Sequence, residues 1–392
     1  MKLLHQLGFR HKWNIESYKN GSGDGFIFSP INIPSDELES IDPEIRKQGF
    51  FDPQIYFPKD SKSKLGTYDY FPNNMIPDFK TIDFESSNLD LAQKCIDFQV
   101  KCDFGHFVIP TRYFETIPTD YFRRLTTNFI EPHLQTIKNI GIKDKSVLLT
   151  CIVKHEMLID DEKRDYFLNW VTGIYDIDGV YVIFENNFSS KQIKDIDYLY
   201  NALIFIDALK QNDLEVHIGY GNTEGLLYSI ANPDSITMGS YENLRTFKVS
   251  RFQTPTETTG MRSPNARIYS GQLLQWIDYN YLAAMRRLVP NFQDYFEDSI
   301  YKPLLFEPSF NWHFQKNEPY KHFFKVYGDQ IRNLPRIPMD RIAHLKKIVT
   351  LAHEGYEQIS ESGVLLDSNS DGSHLTSWYS ILNMYEKYKN NS

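Results

Sequence analysis

Cysteine is scarce in this chain of 392 residues: Cys95, Cys102 and Cys151 form neither a paired disulfide framework nor a metal-ligand spacing, which points to a reducing compartment. No apolar run is long enough to span a bilayer. The opening MKLLHQLGFRHKW lacks the uninterrupted apolar core and small-residue cleavage site of a signal peptide, so the expected location is the cytoplasm, with no membrane partner. There is no Walker phosphate loop, no complete GxGxxG turn and no Gly-x-Ser-x-Gly elbow, and these absences weigh against common nucleotide hydrolases and serine hydrolases. His353-Glu354 is not followed by a second histidine at zincin spacing, so neither a metal nor a cofactor is expected. A formal net charge of −9 argues against non-specific nucleic-acid binding over the whole surface, though not at a local basic site.

Aromatic residues, by contrast, are abundant. The 25 Tyr and 28 Phe imply large core and pocket surfaces, many with a polar tip that tolerates a wet boundary; an AT-rich coding bias would give the same excess. With 41% hydrophobic and 24% charged residues, the composition is that of an ordinary soluble chain, long enough for a full barrel with additions or for two domains.

The clearest local pattern runs from Asp213 to Arg245. Leu214–Ile218 is a short apolar run stopped by Gly219-Tyr220-Gly221, Glu224–Ala231 has helical spacing, and Asp234–Met238 supplies a second strand before Gly239-Ser240. In a parallel β/α sheet or barrel the loops after strands carry function. By location, then, Gly219, Tyr220, Gly221, Asn222, Gly239, Ser240, Glu242 and Arg245 are candidate binding residues.

Further strand-and-helix units lie on either side. The first strand is read at Gly25–Ser29, followed by a helix from Pro34 to about Gln48 with Ser35 as N-cap. The second is Gln48–Phe57, and Asp52 inside it must end the strand, be paired, or do chemistry. Residues 58–88 form a long polar excursion of the kind that makes lids and binding loops. Helix Leu89–Val100 returns the chain to strand Phe104–Pro110, after which Arg112 could hold a phosphate or carboxylate, or simply pair with Glu115. A helix over Asp120–Ile140 is capped by Gly141. Strand Ser146–Val153 is apolar throughout, as expected of a strand buried on both faces, and is followed by Lys154-His155-Glu156, ionisable groups that can tune one another. Helix Asp161–Thr172 leads to strand Gly179–Phe184, which ends in Glu185-Asn186-Asn187; Glu185 closes an otherwise apolar strand. The helix Ser190–Gln211 has strong apolar periodicity.

Between Leu244 and Gly271 there are five basic residues, Arg245, Lys248, Arg251, Arg262 and Arg267, against the single acid Glu257. This excess suits phosphate or a nucleic-acid backbone, or else a solvated basic loop. Ala266–Ser270 reads as the eighth strand and Gly271–Leu288 as its helix. The resulting fold class is α/β: a (β/α)8 TIM-type barrel over residues 1–289 with an aromatic-rich helical extension over 290–392, or an open doubly wound sheet as the alternative. Within the extension, Arg341–Ser360 and Trp378–Tyr388 are the expected helices.

The run HIGYGNTEGLLYSIANPDSITMGSYENLR resembles the late-barrel region of tRNA-guanine transglycosylase-like proteins, including relatives that insert deazaguanines into DNA. In that region a glycine turn leads through a helix to an Asp-Ser strand. VIPTR at Val108–Arg112 is similar to the sequence near that family's nucleophilic aspartate, but it comes earlier in the barrel and has His106 in the place of the aspartate. The family's zinc-binding cysteines have no counterpart here. The resemblance implies a barrel that binds a purine-like base or a nucleotide.

Two functional expectations follow. In one, the chain is a barrel enzyme of nucleobase or glycosyl transfer acting on tRNA or DNA. Asp52 or Glu185 supplies the carboxylate, Lys154 and His155 assist proton transfer, and Arg112, Asn186, Arg245 and Arg267 help to bind a nucleobase or phosphate-containing ligand. In the other, catalysis is lost and the barrel is a binding subunit whose protein partner meets the C-terminal region. Convergence of Asp52, Lys154 and Glu185 in one pocket favours the first; a mouth filled by aromatic side chains favours the second.

Overall fold

The computed structural model describes residues 1–59, 64–254 and 264–391. Eight parallel strands form one sheet: β1 Lys2–Gln6, β2 Gly25–Phe28, β3 Gly49–Phe51, β4 Phe107–Ile109, β5 Val147–Val153, β6 Gly179–Phe184, β7 Glu215–Gly219 and β8 Ser235–Gly239. They are ordered β3-β2-β1-β8-β7-β6-β5-β4, and β1 pairs with β8 from Lys2↔Ser235 to Gln6↔Gly239. Cyclic order with parallel pairing is the topology of a (β/α)8 barrel. The two ends of the ladder meet where Gly105 N donates to Gly49 O at 2.8 Å, so the barrel is nearly closed. The seam demands glycine, since a Cβ on Gly49 would lie 1.9 Å from Phe26 O and one on Gly105 would lie 2.6 Å from Lys47 O.

β5 and β6 are buried at every position, which is why they read as unbroken apolar runs. The order of the strands differs from expectation in two places, and the two differences compensate. β1 is an additional strand: KLLHQ is short, and its last two residues, the fully buried His5 and Gln6, interrupt the apolar pattern. His5 is satisfied in the core by Asn14, whose Nδ2 donates to its Nδ1 at 3.0 Å, and by Ser22 O, 2.8 Å from its Nε2. The segment expected as the eighth strand instead forms a two-stranded antiparallel hairpin outside the barrel, β9 Arg267–Ser270 with β10 Gln275–Asp278. The helix expected from Gly271 is accordingly confined to Leu282–Leu288.

Helices differ chiefly at their ends. The region after β2 is two short helices, Ser35–Glu39 and Pro43–Arg46, because Pro43 cannot continue the first; Ser35 is inside its helix, and its hydroxyl donates to Thr67 O. The helix before β4 starts early, at Phe84, and runs to Cys102. The helix before β7 starts later than expected, at Ile196, where the Asp195 side chain accepts from Tyr198 N. Gly141 does cap its helix, with φ 75°.

The segment after residue 290 shares the barrel's core. Helix Glu318–Arg332 sits behind β1 and β8: Phe324 packs edge-on against His5 at 4.9 Å, and Tyr327 donates to Asn222 O. Helix Pro338–Glu361 is tied in by Arg341, which donates to Ser229 O at 2.6 Å. Helix Leu375–Asn391 buries Trp378 and sets Lys389 3.0 Å from Asp207. Among the described residues, no helix is long and apolar enough to cross a membrane.

Candidate active site at the C-terminal mouth of the barrel

Loops following parallel strands converge at one end of the barrel, and polar side chains at that end face the bore. Asp52 directly follows β3 and is fully buried. Its two oxygens each accept from the Tyr56 hydroxyl at 2.8 Å, one accepts from Gln54 N at 3.2 Å, and the other faces Tyr181 OH at 3.4 Å. Gln54 Nε2 also reaches Ser29 Oγ at 2.7 Å and Tyr220 OH at 3.2 Å. Gln54 and Tyr220 both hold left-handed backbone, with φ of 54° and 52°. Gly219 is required here, because a Cβ would lie 2.5 Å from the Tyr181 ring. Burial pushes the Asp52 carboxyl up to about 6, opposed by the hydrogen bonds from Tyr56, Gln54 and Tyr181. A carboxyl with that proton affinity can give and take a proton near neutral pH.

Glu185 sits just past β6, also buried. Its carboxylate accepts from Tyr113 OH at 2.6 Å and from His155 N at 3.3 Å. The two carboxylates are linked through tyrosines: Tyr113 N donates to Tyr56 O at 3.1 Å, and each phenol serves one acid. Lys154 pairs with neither among the described residues, though its Nζ stands 5.3 Å from the centre of the Tyr113 ring. Its Nζ donates to Glu115 O at 2.6 Å and pairs with Glu156 at 3.2 Å. The His155 ring packs on Tyr198 and Phe188, at 5.3 and 5.4 Å.

Above Asp52 the mouth is covered by the segment after β8. Phe247 makes a β-bridge to Glu185 and accepts from Asn186 N at 3.2 Å, which pins the segment to the end of β6. Phe247 and Phe252 then pack edge-on against Tyr56, at 5.3 and 4.8 Å, and Phe247 also meets Tyr220 at 5.5 Å. Arg251, on the same segment, stands 5.6 Å from the centre of the Phe252 ring.

Beside this plug lies a cleft of about 930 Å³ whose walls include Lys191, Ser240, Arg245, Arg267, Trp276 and Tyr320. The Arg245 guanidinium stands 4.1 Å from the centre of the Trp276 ring and is only 8% exposed. Among the described residues it has no carboxylate partner within ion-pair distance: Nη1 makes one long bond, 3.3 Å, to Ser240 O, and Nε has no hydrogen-bond partner. Burial lowers Arg245 to about 10, which leaves it cationic at neutral pH. Among the described residues Ser240 Oγ, on the same wall, is likewise buried without a partner. Orphaned buried donors call for an explanation, and an anionic ligand supplies one.

The other expected binding residues are engaged in local contacts, Arg267 among them although it also lines the cleft. Asn222 donates to Lys191 O and Gln192 Oε1, Gly221 N donates to Thr237 Oγ1 at 2.9 Å, and Gly239 allows Leu244 to pack where a Cβ would be 2.6 Å away. Asn186 Oδ1 accepts from Phe188 N at 3.1 Å, and Arg267 donates to Asn369 O at 2.9 Å. Arg112 does not pair with Glu115; it stacks on Phe114 at 4.5 Å and donates to Thr81 Oγ1 at 2.9 Å. Arg262 and Glu257 of the basic segment lie outside the described residues.

Several participants carry no mark in the sequence. Tyr56, Tyr181 and Gln54 look like ordinary strand or loop residues, and Trp276 falls in a segment read as helix. Glu224, read as the start of a helix, is buried beside Arg245, accepts from Ile193 N at 2.6 Å, and is pushed by burial up to about 7. Its signal was its place, an acid in the loop that follows β7.

Fold and site together define a (β/α)8 barrel with ionisable groups at its C-terminal mouth. Compared with protein-family models, with curated proteins and with solved structures, the chain gives no match to any of them.

Proposed function

We propose that the chain is a barrel enzyme that binds a nucleobase or nucleotide and transfers a base or glycosyl group in the manner of transglycosylases, with nucleic acid as the substrate class. The observation that carries this reading is Arg245: a buried guanidinium, without an ion-pair partner among the described residues, stacked on Trp276 in a cleft that also holds Tyr320 and Arg267. A phosphate satisfies the cation, and a planar base finds aromatic faces on the same wall. Asp52 is the acid–base group: with a carboxyl raised to about 6, it protonates a departing base nitrogen or deprotonates an incoming one. The chain Asp52–Gln54–Tyr220 leads from that carboxyl toward the turn beside Arg245.

A second reading, a barrel that binds without catalysis, is favoured by the aromatic plug of Tyr56, Phe247 and Phe252 over Asp52. One experiment separates the two. Thermal stabilisation is measured against nucleobases, nucleosides, nucleotides and short tRNA or DNA, for the wild type and for Arg245→Ala and Asp52→Asn. The enzyme reading expects a shift with phosphate-bearing ligands that Arg245→Ala abolishes, and base exchange that Asp52→Asn abolishes while binding persists. Binding without exchange in the wild type supports the second reading, and no shift with any ligand defeats the enzyme reading.

A further inference from the structure

The mouth at the opposite end of the barrel holds a separate cluster. β7 begins there, and Glu215 and His217, two residues apart, share its inward face. His106, on the turn into β4, meets them across the bore: the imidazole centres of His106 and His217 are 5.4 Å apart. The Phe50 ring stands edge-on to both, at 5.8 and 5.5 Å, and to Tyr181 at 5.2 Å, so it divides this cluster from the one around Asp52.

Nε2 of His106 and Nε2 of His217 lie 3.8 and 3.4 Å from the same Glu215 oxygen, Oε2. The ligand atoms of all three residues lie within 4.8 Å of one another. Donors bound tetrahedrally at ~2.0–2.1 Å stand roughly 3.3 Å apart, so two of the three edges are already close to that of a coordination tetrahedron. The supporting contacts are of the kind that orient metal ligands. His217 Nδ1 pairs with Ser235 Oγ at 2.8 Å, and Glu215 Oε1 accepts from Ser146 Oγ at 3.2 Å. Among the described residues Glu215 has no lysine or arginine partner, and His106 Nδ1 is buried without any partner.

We propose that His106, Glu215 and His217 bind one divalent transition-metal ion of the zinc class, with water completing its coordination. Two imidazoles and a carboxylate form a donor set that suits zinc rather than magnesium or calcium. The site does not depend on the reading of the other mouth. Its position indicates a structural role: His106 adjoins Gly105, whose N–H bridges the β3–β4 seam, so the ion clamps the weakest point of the barrel to β7 on the far side.

The test uses the full-length chain, stripped with a chelator and titrated with Zn²⁺ by calorimetry, with Co²⁺ as a spectroscopic probe. One Zn²⁺ per chain, visible Co²⁺ bands of four-coordinate intensity and a higher Tm with metal are expected. His106→Ala and Glu215→Gln should each weaken binding by about 100-fold or more, beyond what loss of a supporting residue does. His106 is at the rim, with its side chain 24% exposed, so His106→Ala remains informative if variants of the buried His217 fail to fold. Absence of saturable binding at one equivalent, or equal affinity in wild type and His106→Ala, overturns the proposal.

Discussion

Asp52→Asn should make the protein more stable at pH 8. Asp52 is fully buried, and its nearest partners are neutral phenols and amides. Burial raises its carboxyl from the ordinary 3.8 to about 6, so the folded state holds a proton that the unfolded chain has released across that window. Stability associated with this group is therefore full below about pH 4 and is lost as pH rises through about 6. At roughly 1.4 kcal/mol per pH step, the ionised carboxylate costs the fold about 3 kcal/mol at pH 8. Asparagine keeps the shape without the charge, but its amide turns a donor toward Tyr56 or Gln54, so the net gain should be about 1–3 kcal/mol. For a chain of this size that is roughly 1 °C of Tm per kcal/mol. The assay is thermal unfolding of both proteins from pH 4 to pH 8. The curves should converge near pH 4 and separate in favour of Asp52→Asn above pH 6. A variant that is less stable than wild type at every pH, with no pH-dependent gap, would refute the reasoning, because it would mean that the charge is compensated in the folded state.

Gly219→Ala should destabilise by about 1–3 kcal/mol, read by chemical denaturation, because its Cβ collides with the Tyr181 ring in the bore. Phe324→Ala should cost about 3–5 kcal/mol, since the ring is fully buried against His5 behind β1; a loss under about 1 kcal/mol would show that the C-terminal helices are dispensable to the barrel. For the same reason a chain ending at residue 289 should fail to give a cooperative unfolding transition, measured by circular dichroism. Gly141→Ala, at φ 75° with open space around it, should cost only about 1 kcal/mol, and a much larger loss would contradict the cap geometry.

The sequence alone determined the class of fold, because the strands that dominate the barrel announce themselves. VLLTCIV and GVYVIF are buried on both faces and so carry no polar interruption. The helix Asp161–Thr172, the Gly141 cap and the strand–turn–helix–strand run after Asp213 were legible for similar local reasons. What local pattern could not decide was membership of the ring. KLLHQ belongs to it because β2 and β8 flank it and Asn14 and Ser22 satisfy its histidine, whereas RIYS, with the better strand pattern, pairs with β10 outside it. Pairing partners are chosen in three dimensions, and a short run carries no record of them.

The site divides in the same way. Asp52, Glu185 and Arg245 stood out in sequence because a charge at the end of an apolar strand, or in a basic run within an acidic chain, needs an explanation. Their surroundings were decided by tertiary structure: the tyrosines around Asp52 come from β6 and from the loops after β3 and β7, and Trp276 reaches Arg245 from the outer hairpin. His106 and His217 are separated by more than a hundred residues, and only closure of the barrel sets both imidazoles against one carboxylate.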